Sequence, residues 1–446
     1  MGLYFKSLRI LFTLLLIFQN VYAQDTFRII GGEQKEVQTF QLINNLIIIP
    51  VKVNGSTLKF LLDTGVNKTI LFNLSIEDSL KLKNTTHIKI KGLGKGDYLN
   101  AIKSDNNSFS IGKISNRKHT IYLISGKKFD LSPQLGVHIN GIIGGDLFRD
   151  FIVDINYSTK RVKFNNPKTY RYHKCRKCQQ LALSFRNKKP YVDLMIQNEE
   201  SKPIQVKLLI DSGGSDTLWL FASSHEAIRV PKDYFDDYLG KGLGGDIFGK
   251  RAKLKQLGVG NYSFHNVNVA YPDSSAIGSL QKHKERSGTL GAGILKRFRV
   301  IFDYPHKKIT FKRKSKYFND PFLYNMSGIE LAYSGKMLVK ERESAKLGDS
   351  SNLNGNTIEI IYDYVYAFKN SYQITIIRKG SPANKAGLLP KDIVLQVNGK
   401  SAYNYTLEEI IAMLSLEEGE RIKLLIDRGG EILKYSFKLE KLLQKK

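Results

Sequence analysis

An internal repeat constrains this chain of 446 residues more than any other feature of its sequence. The triplet Asp63–Gly65 follows an apolar run, and a matching triplet, Asp211–Gly213, follows another apolar run 148 residues later. Two further motifs recur in the same order at nearly the same spacing, namely a Gly-Leu-Gly sequence and a Gly-x-x-Gly sequence. Their residues are Gly92, Leu93 and Gly94 with Gly242, Leu243 and Gly244, and Gly144 with Gly291. Three motifs in one order at nearly one offset indicate a duplicated lobe.

Both copies have the sequence pattern of β structure. The runs 46–53 and 58–62 flank the Asn54-Gly55 pair, which is typical of a two-residue hairpin turn. A closing hairpin is predicted near the end of each copy, at residues 152–164 and 300–311. We therefore expect a mainly β chain, with lobe 1 at residues 30–165 and lobe 2 at residues 180–315.

The aspartates that end the two apolar runs point to acid–base chemistry. If the lobes bring Asp63 and Asp211 together, both carboxyl groups cannot ionise at the same pH, so one of them keeps a proton. Such a pair supplies a general acid and a general base to a water molecule, which suits hydrolysis of a peptide bond without a covalent intermediate. The alternative is that both are turn residues of a barrel that only binds, since aspartate is common in turns.

The residues around the aspartates suit two loops that approach closely. Gly65 and Gly213 allow close contact of the two backbones, and we expect Thr64 and Ser212 to form hydrogen bonds across to the opposite loop. The Gly-Leu-Gly motifs are expected to be flaps that fold over a bound peptide and exclude water. Two more glycines are expected to pass beneath the aspartate turns, where a side chain would clash: Gly144 and Gly291.

The doubled triplets and glycine motifs resemble the retropepsin-like aspartic proteases, in a single-chain, two-lobed form, over about residues 30–315. The resemblance implies two homologous β-barrel lobes that share one active-site cleft, with Asp63 and Asp211 as catalytic residues and polypeptides as substrates. It implies no metal and no other cofactor, and a monomer is sufficient because one chain supplies both carboxyl groups. Val66 and Gly214 stand where relatives that act in acid usually have hydroxyl donors. We therefore expect activity at mildly acidic to near-neutral pH.

Residues 325–441 resemble a PDZ domain of the kind that accompanies bacterial proteases, which is an α+β fold. The resemblance rests on the segments 380–388 and 392–399. It implies a peptide groove, in which backbone N–H groups of one loop receive a peptide C-terminus and a helix forms the opposite wall. The residues implied are Met326, Ser327, Gly328 and Ile329 in the loop and Ile410 on the helix. A domain that packs on the protease without binding a peptide is the alternative.

The sequence has two cysteines, Cys175 and Cys178, in the basic junction between the lobes. A zinc site would need two more ligands, and His173 supplies at most one nearby. A redox motif would be followed by a helix, which this junction does not suggest. We therefore expect a local disulfide.

The remaining expectations concern location and partners. Residues 1–23 combine a basic start, a short apolar core and a Val-x-Ala end, which predicts a signal peptide and an exported bacterial protein, periplasmic or secreted. The net charge is +28, but the basic residues are scattered and form no nucleic-acid-binding motif. We expect no nucleic-acid partner, but peripheral attraction to anionic envelope surfaces. The rival functions are a catalytically silent, peptide-binding or chaperone-like envelope protein and a charge-driven adhesin.

Overall fold

The computed structural model describes residues 26–74, 80–90, 98–124, 129–198, 202–281, 286–347 and 360–443. These residues are mainly β, which confirms the expected fold class. No helix in the described ranges is long and apolar enough to cross a membrane. The predicted signal peptide and the first Gly-Leu-Gly motif, Gly92, Leu93 and Gly94, lie outside the described residues.

Lobe 1 contains twelve strands and two short helices within the described ranges. They are β1 (Arg28–Ile29), β2 (Lys35–Thr39), β3 (Gln41–Ile43), β4 (Leu46–Val53), β5 (Ser56–Leu62), β6 (Thr69–Leu71), β7 (Thr85–Ile90), β8 (Leu99–Ile111), β9 (Ile114–Ile124), α1 (Ser132–Leu135), β10 (Gly141–Ile143), α2 (Gly145–Asp150), β11 (Ile152–Asn156) and β12 (Arg161–Asn165).

The sheet of lobe 1 brings Asp63 to its site. Strands β4 and β5 form the predicted hairpin, and both turn residues, Asn54 and Gly55, have positive φ, as a tight hairpin turn requires. Strand β5 runs parallel to β10, with Leu62 beside Ile143. Asp63 therefore follows directly at the carboxyl end of a buried strand, and the glycine motif lies alongside it.

Lobe 2 contains eleven strands, two α-helices and a 3₁₀ turn at Ala222–Ser224 within the described ranges. They are β13 (Cys178–Ala182), β14 (Ser184–Arg186), β15 (Lys189–Gln197), β16 (Ile204–Asp211), β17 (Leu218–Leu220), β18 (Tyr234–Gly242), β19 (Gly245–Val259), β20 (Tyr262–Pro272), α3 (Ser274–Gln281), β21 (Gly288–Gly291), α4 (Ala292–Leu295), β22 (Arg299–Asp303) and β23 (Lys308–Lys312). Strand β16 runs parallel to β21, with Asp211 beside Gly291, so the second site strand is built like the first.

A third sheet is shared by the two lobes. Its six strands lie in the order β13-β23-β22-β11-β12-β2, so three come from each half of the repeat. The central pair, β11 and β22, is antiparallel, with Ile152 opposite Asp303 and Ile155 opposite Val300. A buried ring pair, Phe148 and Phe302 with centroids 5.2 Å apart, packs one lobe against the other. One apolar core thus continues through both lobes.

The C-terminal domain has its own sheet and its own apolar core. Its elements are β24 (Ile329–Leu347), β25 (Ile360–Ile377), α5 (Pro382–Lys385), β26 (Ile393–Val397), β27 (Lys400–Ser401), a 3₁₀ turn (Ala402–Asn404), α6 (Leu407–Met413), β28 (Arg421–Arg428) and β29 (Glu431–Lys438). Helix α6 begins after Thr406, which forms a capping box with Glu409. Strands β24 and β25 pair over a length of almost twenty residues and form a long hairpin.

Candidate active site

The two triplets meet at the interface of the lobes and are joined by reciprocal hydrogen bonds. The N–H group of Thr64 donates to Oγ of Ser212 at 3.0 Å, and the N–H group of Ser212 donates to Oγ1 of Thr64 at the same distance. Each hydroxyl in turn donates to a strand carbonyl of the opposite lobe, at Ile210 and Leu62, both at 2.8 Å. Both hydroxyl residues are fully buried. The arrangement fixes the two triplets relative to each other.

The glycines of the triplets allow the two carboxyl groups to approach. A Cβ atom on Gly213 would lie 2.2 Å from Cγ of Asp63, and a Cβ on Gly65 would lie 2.8 Å from Cγ of Asp211. Distances below 3.0 Å are not tolerated by a real Cβ, so each glycine leaves room for the carboxyl group of the other lobe. Each aspartate also accepts a hydrogen bond at Oδ1 from the N–H of the glycine in its own triplet, at 2.6 and 3.0 Å.

The predicted glycines beneath the turns lie where a side chain would clash with backbone. A Cβ on Gly144 would lie 1.9 Å from the carbonyl oxygen of Asp63, and a Cβ on Gly291 would lie 2.1 Å from that of Asp216. The N–H group after each glycine holds the loop that follows the triplet, since Gly145 donates to Val66 and Ala292 donates to Gly214.

Asp63 is the buried member of the pair. Burial raises its pKa well above the usual range, and the charge of Asp211 and a hydrogen bond between the two side chains raise it further. The N–H of Gly65 and the charge of Lys189 act in the opposite direction but do not cancel the effect. A carboxyl group in this environment keeps its proton at pH values where an exposed aspartate has lost it. The pair therefore has the electrostatics of one acid and one base.

Two residues near the pair were not predicted from the sequence. Lys189, at the start of β15, attracts both Asp63 and Asp211; burial lowers its pKa, and these attractions oppose that shift. Tyr304 is buried and its hydroxyl has no hydrogen-bond partner among the described residues. Burial, with Asp63 and Asp211 nearby, raises the pKa of Tyr304. A signal for Lys189 exists in the repeat, because it is a lysine where lobe 1 has the apolar Leu46.

The second flap lies between β18 and β19. Gly242 ends β18, and Leu243 and Gly244 form the turn before β19. Leu243 packs against an apolar cluster of lobe 1 that includes Ile70 and Ile142. The flap of lobe 2 thus reaches across to the other lobe.

A chain of ion pairs joins this flap to the loop after Asp211 and to the C-terminal domain. Asp216 accepts from the indole N–H of Trp219 at 2.7 Å and pairs with Arg251 of β19 at 2.9 Å. Arg251 also pairs with Asp237 of β18 at 2.8 Å, and Asp237 pairs with Arg378 of the C-terminal domain at 3.0 Å. Three of these side chains, those of Arg251, Asp237 and Arg378, are at most 12% exposed. These ion pairs therefore connect the strands of the flap with the C-terminal domain.

The loop expected to receive a peptide C-terminus already has partners within the chain. The N–H of Met326 donates to the carbonyl of Leu414. The N–H groups of Ser327 and Gly328 donate to Oδ1 of Asn325, at 3.0 and 3.2 Å, and the N–H of Ile329 donates to Oγ of Ser327. All four N–H groups already have acceptors, so a peptide carboxylate would have to displace those acceptors. Ile410 is fully buried in the core of the domain.

Lobe 1 also contacts the C-terminal domain at β24 and at the start of α6. The Cα atoms of α1 lie within 8 Å of those of β24. A Cβ on Gly136, which follows α1, would lie 2.9 Å from Cβ of Leu407 at the start of α6. The N–H of Asn44 donates to Glu408 of the same helix at 3.1 Å. The C-terminal domain thus packs on lobe 1 through β24 and the start of α6.

The cysteines lie away from this site. Cys175 and Cys178 form a disulfide in the segment that leads into β13. In the described part of the chain, no group of three or more histidine, cysteine, aspartate or glutamate residues could hold a metal ion.

Comparisons with known proteins give two family matches along the chain. The family model described as aspartyl protease matches residues 49–147, and the one described as PDZ domain matches residues 373–428. These matches confirm both resemblances. Residues 49–147 are thus similar to aspartyl proteases and residues 373–428 to PDZ domains, and this combination supports a protease.

Relatives match shorter stretches of the chain. A protein named probable CtpA-like serine protease from Staphylococcus saprophyticus is 42% identical over 110 residues, which is 25% of this chain and 21% of that protein. A protein of the same name from Staphylococcus haemolyticus is 43% identical over 58 residues, 13% of this chain and 12% of that protein. The chain thus spans about a fifth or less of the length of these relatives. A solved structure, the aspartic proteinase from Irpex lacteus, matches with a TM-score of 0.41 and 12% identity, covering 65% of this chain and 99% of that one.

Proposed function

We propose that this protein is an aspartic endopeptidase in which Asp63 and Asp211 activate one water molecule. The observation that carries the proposal is the reciprocal bonding of Thr64 and Ser212, which holds the two aspartate turns face to face. Structural turns in a binding-only barrel would not need this buried arrangement. The raised pKa of Asp63 adds the proton that the chemistry requires.

The proposed reaction follows from one proton shared by two carboxyl groups. The ionised carboxylate of Asp211 takes a proton from a water molecule, whose oxygen forms a bond to the carbonyl carbon of the peptide. Asp63 donates its proton to the carbonyl oxygen, which gives a neutral tetrahedral intermediate. The carbon–nitrogen bond then breaks as Asp211 gives its proton to the leaving nitrogen, while Asp63 takes a proton from a hydroxyl group of the intermediate. A carboxylic acid and an amine are released, and the pair again holds one proton. The flap at Leu243 excludes bulk water from this site.

The experiment incubates the protein with a diverse peptide library, with and without a pepstatin-type inhibitor. We expect cleavage that the inhibitor blocks and that Asp63→Asn and Asp211→Asn abolish. Asp193→Asn makes the same chemical change at a more exposed site, and we expect it to keep the activity. Because some relatives carry the name serine protease, a serine-directed inhibitor is a second arm. Cleavage that this inhibitor blocks, or that survives both aspartate substitutions, would contradict the proposal.

We further propose that the PDZ domain regulates access to the cleft. The ion pair between Arg378 and Asp237 and the contact of α1 with β24 support this role. Because the N–H groups of residues 326–329 already have acceptors within the chain, peptide capture requires the domain to rearrange. Arg378→Gln tests the idea, with Lys379→Gln, the neighbouring cation, as a control. We expect altered KM or kcat in the first variant alone, and equal kinetics in both would contradict regulation through this contact.

Export and surface attraction are also proposals. We propose that a signal peptide at residues 1–23 directs export from a bacterial cell, and N-terminal sequencing of the mature protein should then begin at Gln24.

The proposed attraction to anionic surfaces is supported by one face of the β24–β25 hairpin. There, exposed Leu338 and Phe368 lie opposite each other beside Lys340. Binding to anionic vesicles that disappears at moderate salt is the expected result.

A further inference from the structure

A cavity of about 240 Å³ opens on lobe 2. It is lined by Ser184, Phe185, Arg186, Tyr191, Lys207 and Arg286. Three of the six lining residues are cations and none is an acid, so the cavity has a positive character.

The strand register places this cavity on the cleft face of the sheet. Side chains alternate along β16, so Lys207, Leu209 and Asp211 point to the same side. Tyr191 of β15 is paired with Leu209. At about 3.3 Å per residue, Lys207 lies roughly 13 Å from Asp211 along the strand. That distance corresponds to a substrate side chain a few residues from the bond that is cleaved.

Arg286 is the unusual group in the cavity. Its side chain is only 6% exposed, Nε donates to the carbonyl of Gly288 at 3.1 Å, and Nη2 donates to Oγ1 of Thr289 at 2.6 Å. Among the described residues, no carboxylate forms an ion pair with it, and Asp211 is the acid whose charge it senses. A buried cation without an anionic partner is costly, so the site favours an anion supplied from outside. Lys207, in contrast, is already paired with Asp193 at 2.7 Å.

Lobe 1 provides an internal comparison, because it has the same strands. The position of Tyr191 is taken there by Ile48, since Ile48 pairs with Leu61 as Tyr191 pairs with Leu209. The position of Arg286 is taken by the buried Ile139, two residues before the glycine that starts β10. Ile48 and Ile139 belong to an apolar cluster that Phe129 and Leu135 fill. The two halves of the cleft therefore differ in chemistry, apolar on one side and cationic on the other.

We propose that the lobe 2 cavity binds an anionic group of the substrate, a carboxylate or a phosphate, through Arg286. This inference rests on the proposed peptidase function and names its substrate class: peptides with an acidic side chain on one side of the bond that is cleaved. A hydrogen-bonded charge pair contributes enough to make an acidic residue preferred over its amide by about tenfold or more.

The experiment starts from a peptide that the wild-type protein cleaves. Each position within four residues of the cleaved bond is replaced in turn by Glu, Gln or phosphoserine, and kcat/KM is measured. We expect Glu to exceed Gln by about tenfold at one position, and the phosphoserine series tells whether a phosphate serves as well. Arg286→Gln should remove this preference. Lys59→Gln, which removes an exposed lysine at the lobe 1 position equivalent to Lys207, should keep it.

A thermal unfolding curve shows whether Arg286→Gln is folded. If this variant does not fold, the cavity proposal is tested by the Glu-to-Gln ratio of kcat/KM in the wild-type protein and in Lys207→Gln. Equal kcat/KM for Glu and Gln at every position would overturn the cavity proposal, as would a ratio that Arg286→Gln leaves unchanged. Glu and Gln versions of library peptides, whether or not they are cleaved, are also bound to Asp63→Asn and followed by fluorescence anisotropy. Preferential binding of the Glu peptides without any cleavage by the wild-type protein would overturn the peptidase function but support the anionic site.

Discussion

The buried proton of Asp63 gives the protein a specific dependence of stability on pH. In the unfolded chain an aspartate loses its proton near pH 4. In the folded protein, burial and the neighbouring Asp211 raise the pKa of Asp63, so the native state holds one more proton than the unfolded state above that pH. Stability therefore falls as the pH rises through this interval, by about 1.4 kcal/mol per pH unit for one proton. Asp63→Asn removes the proton-binding group and should remove this contribution to the slope.

Urea unfolding at pH 5, 6 and 7 measures the effect, with the emission of Trp219, the single tryptophan, as the signal. As the pH rises, we expect the unfolding free energy of the wild-type protein to fall relative to that of Asp63→Asn. The pKa of Glu330 is also raised, to about 8, mainly by burial, but Glu330 is present in both proteins and cancels in the difference. Asp193→Asn is the control at a more exposed carboxyl group. Parallel free energies for Asp63→Asn and wild type across the three pH values would refute the reasoning.

Three further predictions concern the same site. Ser212→Ala removes the hydroxyl that both accepts and donates a bond between the lobes, so the free energy of unfolding in urea should fall by about 1–3 kcal/mol; an unchanged midpoint would contradict this. Gly213→Ala puts a Cβ atom against the carboxyl group of Asp63 and should abolish peptide turnover. Gly278→Ala, which has open space around it, should leave turnover intact. Lys189→Met removes a positive charge that lowers the pKa of Asp63, so the limb of the pH–rate profile that follows Asp63 should move to higher pH. A profile that stays in place would show that Lys189 does not act on the pair.

Much of the site could be predicted because the repeat records it twice. A hydroxyl residue between an aspartate and a glycine, repeated in a second copy, predicts hydrogen bonds from each triplet to the other. In the structure, Thr64 and Ser212 form these bonds. The glycines at 144 and 291 were predictable for a similar reason, since a missing side chain at a matched position implies close backbone contact. Sequence patterns were sufficient where a structural requirement is local or is repeated in both lobes.

What the sequence did not reveal depends on contacts between distant segments. The burial of Arg286 and the attraction of Lys189 to Asp63 arise from folding of the sheet. Comparison of the two copies marks Lys189 as unusual, but it does not show that its charge lies near Asp63. The loop at residues 326–329 has a sequence compatible with binding a carboxylate. Its donors are taken by the side chains of Asn325 and Ser327 and by the carbonyl of Leu414, 88 residues beyond Met326. Such competition is decided by geometry rather than by residue type.

The sheet shared by the lobes bears on how the chain could be divided. Its central strands, β11 and β22, come from opposite sides of the connecting segment at residues 166–177 and pair along five residues each. A gene split within that segment should therefore yield two polypeptides that reassociate, each covering the other's open strand. Either half produced by itself would present that bare edge to solvent and would tend to aggregate.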